Sequence, residues 1–231
     1  MDLRLKQGMN RALRSRKISR RGGRNNGIHG RRQIEMSQNE AFSPARVVDR
    51  MIIQHVMAQW CHAVDRLDRQ GMLAVFHDGA TDSHGPYIGP VEGLVDWVLE
   101  RHKAIPFSSH FIGNMLIDFA SEDVAIVETY VRTIQQYPPE AKAQIAQFTG
   151  GASGAEGSYV DVFTSSRYLD RFERRDGQWR IAERTLIQDW KRLDEVKVMA
   201  LQPKKGWILG KRDGNDESQI VRRQFGLDAA V

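Results

Sequence analysis

Three polar residues stand where an apolar core is expected, and their types describe a proton-transfer site that needs no cofactor. His110 lies in a strand-like run, where alternation puts it on one face with Ile112, Asn114 and Leu116. Asp65 falls about 120° from the centre of the apolar helical stripe Ile53, Met57 and Val64, at the edge of that face and near the helix end. Arg184 shares a strand face with Ala182 and Leu186, and a two-residue Asp176-Gly177 turn would bring Arg167 and Leu169 onto the same face. Two arginines on an apolar face require an anion or a carboxylate beside them. One bulge would change which residues share that face.

A histidine with a pKa near neutrality can take a proton from a position next to an activating group. A carboxylate on its other ring nitrogen fixes the tautomer and stabilises the imidazolium. An arginine in a dry pocket stabilises the departing or developing anion. Base, orienter and anion clamp are the parts of a cofactor-free elimination site. Taken singly, each residue has a plainer reading: a solvated Asp paired with a neighbouring Arg, a His satisfied within a core, an Arg held by a structural carboxylate.

Other chemistries lose ground. There is no His-Glu-x-x-His, and the single Cys61 supports neither a disulfide nor a thiolate zinc site. Asp82-Ser83-His84, with His77 nearby, has metal-ligand types, but it sits in a Gly/Pro-rich turn where such residues serve as local hydrogen-bonders. No glycine-rich loop joins a strand to a helix, and no serine or cysteine lies in a nucleophile motif. No metal and no cofactor is expected.

The elements that must position these residues follow from periodicity. Ser43-Pro44 starts a helix, and Val48, Ile52, Ile53, Val56, Met57, Trp60, Val64 and Leu67 recur along it at helical spacing. Asp68 caps a short second helix reaching Phe76, and residues 77–90 read as a short strand and turns. Pro90 opens a third helix through Val91, Leu94, Val95, Val98 and Leu99. Beyond Pro106 the period becomes two, giving strands at 108–119, 123–137, 159–174 and 178–190. Residues 138–157 interrupt the sheet as a long Gly/Ala/Ser connection, and 193–231 form an extension expected to pack on the body or on a neighbouring subunit. Strands this long must curl. The fold class expected is α+β: a strongly curved antiparallel sheet with three N-terminal helices, forming a cone-shaped barrel with an internal pocket.

The chain has 231 residues, of which 41% are hydrophobic and 27% charged, enough for one cored domain with tails. Its net charge of +5 is unevenly placed. Residues 1–34 carry 11 Lys or Arg against one acid, so the remainder of the chain is net acidic. Residues 1–35 therefore read as a basic disordered tail, and Met36-Ser-Gln-Asn-Glu resembles an ordinary protein start, as if the tail were an upstream extension. The tail lacks aromatic residues to stack on bases and has no sustained apolar stripe, which argues against nucleic acid and membrane as partners. The location expected is cytoplasmic.

Four segments carry a family resemblance: Trp60 to Asp68, the Tyr87-Ile88-Gly89-Pro90 turn, Ser109 to Asn114, and Arg167 to Trp190 with its Glu-Arg-Arg-Asp-Gly-x-Trp hairpin. Together they resemble the SnoaL-like family of the nuclear transport factor 2-like superfamily over residues 44–192. That superfamily includes dehydratases, a dehydrochlorinase, cyclases, a steroid isomerase, deformylating lyases of lignin-derived diaryl compounds and non-catalytic dioxygenase β subunits. The match to the dehydrochlorinase type implies Asp65, His110 and Arg184 as catalytic residues. Its active-site lysine is replaced by Trp60, and the dehydratases' helix tyrosine has no equivalent at Trp60, Cys61 or His62. The resemblance thus implies a lyase losing water, halide or formaldehyde from a small apolar, aromatic substrate. Trp60 and Trp97 would be its walls, with Tyr87, Asn114 and Arg167 as polar contacts. It also implies a homo-oligomer, with a trimer favoured. Two alternatives stay open: an isomerase or cyclase using the same base, and a non-catalytic binding or structural subunit.

Overall fold

The computed structural model describes residues 38–196 and 205–227. The expectation for residues 1–35 lies outside them. After a single turn, α1 (Gln38–Ala41), the chain enters α2 (Pro44–Arg66) with Pro44 in its first turn and the Ser43 hydroxyl accepting from the Arg46 amide. The stripe Ile53, Val56, Met57, Trp60 and Val64 is buried. Leu67 ends the helix in the left-handed region at φ 54°, returning its N–H to Ala63. Asp68 immediately caps α3 (Arg69–Ala74), accepting from Gly71 at 3.0 Å.

Two short strands follow, β1 (Phe76–His84) and β2 (Tyr87–Pro90), and then α4 (Val91–His102). The long strands are β3 (Phe107–Phe119), β4 (Val124–Tyr137), β5 (Tyr159–Arg175) and β6 (Gln178–Val196). They form one six-stranded sheet in the order β2-β1-β6-β5-β4-β3. Every neighbouring pair is antiparallel except β1 with β6, which is parallel because β1 arrives from the helical side rather than through a hairpin. Packing α2, α3 and α4 against one face of the curved sheet makes the main core, which includes Trp60, Leu94, Val127, Phe172 and Ile181. Asp49 pins α2 to the last hairpin, accepting from the Trp179 indole at 2.9 Å and from Arg174.

Three bulges in the long strands decide which side chains reach the concave face. In β3 the register slips between Ile112 and Met115, so Met115 and Ile117 continue the inner face begun by His110 and Ile112. Asn114 and Leu116 therefore turn outward and are exposed, which corrects the face read from simple alternation. A second bulge, at Ala182, makes Asp170 the partner of Arg184 and Thr185 the partner of Leu169. Arg167 and Leu169 thus leave the Arg184 face. The third, at Asp189, lies between the pairs Ser166–Gln188 and Ser165–Trp190.

The 138–157 connection is not featureless. It holds a 3-10 turn (Pro139–Ala141) and α5 (Lys142–Thr149), which bury Ala141 and Ile145 in a second core with Tyr137, Val160 and Val162. Its glycines and alanines hid a helical spacing of Ala141, Ile145 and Phe148. At the C-terminus, Asp216 caps α6 (Glu217–Gln224) and also accepts from the Lys211 amide at 2.8 Å.

Candidate active site

The end of α2 and the start of β3 meet at Asp65. Its carboxylate accepts from the His110 backbone N–H at 2.8 Å, from the Ser108 hydroxyl at 3.2 Å and from the His110 ring Nδ1 at 2.7 Å. A carboxylate has only acceptors, so Nδ1 carries a proton, and in the neutral tautomer of the ring Nε2 carries the lone pair. Among the described residues no group is hydrogen-bonded to Nε2. The His110 side chain retains 8% of its surface, so the ring is nearly dry.

The backbone behind Asp65 is fixed from the C-terminal segment. Arg212 donates to the carbonyls of Asp65 (2.9 Å), Val64 (3.1 Å) and Ile105 (3.0 Å), closing orphan acceptors at the end of α2. Burial lowers the Arg212 pKa to about 10 against the pull of the nearby Asp65 carboxylate. The same guanidinium lies 3.0 Å from Nδ1 of the buried His102, whose Nε2 faces Arg101 at 2.7 Å. Burial, then these two cations, push the His102 pKa well below its ordinary value, so its imidazole is neutral.

Arg184 is fully buried and bonds Asp170 through two parallel contacts of 2.7 and 2.8 Å. Burial opposes both charges; it raises the Asp170 pKa, while the Asp170 carboxylate keeps Arg184 protonated. Two matched bonds in a dry site make the charged pair the better description. The guanidinium lies 4.2 Å from the Tyr168 ring and 4.9 Å from Trp60. Among the described residues its buried Nη1 has no hydrogen-bond partner, nor has Oδ2 of Asp82 on the adjoining strand.

Trp60 is 1% exposed and donates from its indole to the Tyr168 hydroxyl at 3.3 Å. Tyr87 stacks on Trp97, with ring centroids 6.3 Å apart, and lies so close over Gly93 that a methyl group there would collide with its hydroxyl. Trp97 in turn approaches His84, whose Nδ1 is 3.2 Å from Asp82. His77 is elsewhere, bonded to the Glu173 carbonyl at 2.8 Å. Among the described residues no group of three His, Cys, Asp or Glu is placed to hold a metal. Arg167 sits on the outer face, tied to Asp189 and Glu128.

The structure therefore brings Asp65 and His110 together and places Trp60 beside Arg184. Tyr87 joins Trp97, and Asn114 and Arg167 do not face this group. Tyr168 and Asp170 are not expected from the sequence, and His84 is weighed there only as a metal-ligand type and a local hydrogen-bonder. Alternation backwards from the buried Phe172 would have found Tyr168 and Asp170, whereas the bulge at Ala182 has no signal in the sequence. A surface cleft of about 600 Å³ lies apart from this chemistry, beside Glu140, Lys142 and Glu156 of the insertion.

A family model of the SnoaL-like domain matches residues 45–185. No curated protein matches the sequence. Among solved structures, a candidate scytalone dehydratase from Novosphingobium aromaticivorans is 22% identical with a TM-score of 0.50, covering 69% of this chain and 95% of its own. The hexachlorocyclohexane dehydrochlorinase LinA type 2 is 16% identical with a TM-score of 0.54, covering 69% and 97%. LinA type 3 from Novosphingobium barchaimii is 16% identical with a TM-score of 0.52, covering 68% and 97%. At these identities the likeness fixes the fold.

Proposed function

The chain belongs to the SnoaL-like domain family, and on that premise we propose that it is a cofactor-independent lyase promoting elimination on a small, apolar, aromatic substrate. The observation that carries the reading is the His110 ring, with Nδ1 held by Asp65 at 2.7 Å and Nε2 left free. Similar structures include a candidate scytalone dehydratase and a dehydrochlorinase, which supports a lyase within the family.

In the proposed step, Nε2 takes a proton from a carbon next to an activating group. The C–H pair becomes the new double bond, and the leaving group departs with its bonding pair as hydroxide or halide. Where formaldehyde is lost, Nε2 takes the hydroxymethyl O–H proton and the O–H pair becomes the C=O of formaldehyde. The pair of the broken C–C bond stays on the activated carbon, which takes the proton back from Nε2. Asp65 stabilises the imidazolium. Arg184 is assigned to the developing anion through Nη1, which has no hydrogen-bond partner among the described residues. Trp60, Trp97 and Tyr87 would supply apolar and aromatic walls. The active form would be a homo-oligomer, with a trimer favoured.

The test is a screen of hydroxylated, halogenated and hydroxymethylated aromatic compounds at neutral pH, read by product mass. A lyase yields a product lighter by water, hydrogen halide or formaldehyde, and His110→Gln should slow it by about 10²–10⁴-fold. A product of unchanged mass would instead identify an isomerase or cyclase. Turnover undiminished in His110→Gln would overturn the assignment of the base.

A further inference from the structure

One cross-strand row of the sheet runs through His110. Its register partner on β4 is Thr133, the partner of Thr133 on β5 is Thr164, and the partner of Thr164 on β6 is Lys191. Directly opposed residues project from the same face of a sheet. Here that face is the inner one, since Thr164 and its face neighbours Val162 and Ser166 are buried. The row begins with the His110 imidazole, continues through the mutually bonded hydroxyls of Thr133 and Thr164, and ends in an ammonium. Three strand spacings separate the ends, about 14 Å along the sheet at ~4.8 Å each, and less across the hollow of a curved sheet.

A second cation shares an aromatic neighbour with Lys191. The Lys191 ammonium lies 3.9 Å from the Phe148 ring of the insertion helix, and the Arg101 guanidinium lies 4.8 Å from the same ring and 5.0 Å from Trp97. Arg101 donates to the Tyr137 hydroxyl at 3.1 Å and to His102, while its buried Nε has no partner among the described residues. Lys191 donates to the Phe148 carbonyl, which explains one of its three donors as a cap on α5. Among the described residues no carboxylate pairs with either cation. The contrast is with Arg184 and Arg174, which meet Asp170 and Asp49. A buried guanidinium and a half-buried ammonium that repel each other across one aromatic ring are costly unless an anion joins them.

We propose that Arg101 and Lys191 form a carboxylate subsite, so that the substrate is an aromatic acid whose carboxylate binds there while its reacting carbon lies at His110. Guanidinium and ammonium supply the charge-assisted bonds, and Trp97 and Phe148 flank the ring that bears the acid. The span from Lys191 to His110 accommodates one or two aromatic rings with a short side chain. The inference rests on reading the His110 wall as the substrate wall, and not on which bond breaks.

The experiment uses the full chain at pH 7 with matched pairs: cinnamate against cinnamyl alcohol, and biphenyl-4-carboxylate against biphenyl-4-methanol. Affinities come from calorimetry, and the site is reported by the His110 ring signals in NMR. Each acid should bind at least about tenfold more tightly than its alcohol, the worth of one charge-assisted bond. Lys191→Met and Arg101→Met should abolish that preference and leave the alcohols' affinity unchanged. If Arg101→Met does not fold, Lys191→Met alone decides, with Arg101→Lys as the charge-conserving control. Acids that bind no better than alcohols, or a preference that survives Lys191→Met, would overturn the subsite. A preference that depends on Lys191 but leaves the His110 signals unmoved would uphold the subsite and contradict the role given to His110.

Discussion

His110 acquires its direction from Asp65, which accepts from both its backbone N–H and its ring. Asp65→Asn keeps the shape but offers an amide that can satisfy the ring in either tautomer. The expected outcome is a loss of turnover of about 10²-fold or more with little change in KM, checked by steady-state kinetics on the screened substrate. Cys61 lies one helical turn from Asp65 and supplies a second test. Burial first, and the Asp65 charge next, push its thiol up to about 12. Native protein at pH 8 should therefore resist iodoacetamide, with one alkylation appearing by mass only after denaturation. At this scale the sequence was informative where a polar residue interrupts an apolar pattern, as at Asp65 and His110. It was silent where the partner comes from a distant element, as with Arg101 of α4 near Phe148 of α5, because neither residue is unusual in its own segment.

The strands position chemistry through their irregularities. The bulge at Ala182 sets Asp170 opposite Arg184, where an uninterrupted hairpin would have offered Leu169. Asp170→Asn leaves a buried guanidinium without its counter-charge and should cost about 3–5 kcal/mol in denaturant unfolding. Helix boundaries were legible from Ser43-Pro44, Asp68 and Pro90, since caps and prolines act locally. Bulges were not, since they are settled by pairing across the sheet and flip every side chain beyond them. The C-terminal segment has its own signature. Hydrogen bonds from Ser218 first, then from the Lys211 and Ser218 amides with the Arg66 charge, depress the Asp216 pKa to about 2. Its folded pKa lies below the unfolded value, so its contribution is full above the ordinary carboxylate range and fades as pH falls toward 2. Hydrogen exchange over residues 205–227 should accelerate in Asp216→Asn at neutral pH, as it does in the parent chain only in strong acid.

For the molecule as a whole, two buried histidines set the response to mild acid. Burial and the neighbouring arginines lower His77 to about 4 and hold His102 well below its usual range. The unfolded chain takes up these protons before the native one does, so stability is full above about pH 6.5 and declines as pH falls toward 4. Melting temperatures should drop across that interval, and His77→Gln should flatten part of the slope. The outer sheet face carries exposed Phe111, Leu116, Tyr130 and Trp190, a surface in keeping with the proposed self-association. Light scattering should give a mass about three times that of the chain. On the inner face, helices, bulges and the C-terminal arginine converge on one local state: an imidazole protonated at Nδ1 with a bare Nε2. The most direct measurement is the pair of ring nitrogen shifts of His110, read by long-range ¹H–¹⁵N correlation in the unliganded protein above pH 7. The account predicts a pyrrole-type Nδ1 and a pyridine-type Nε2, with that preference lost in Asp65→Asn. A proton found on Nε2 in the parent chain would contradict it, because the base would then face the substrate with no lone pair to accept.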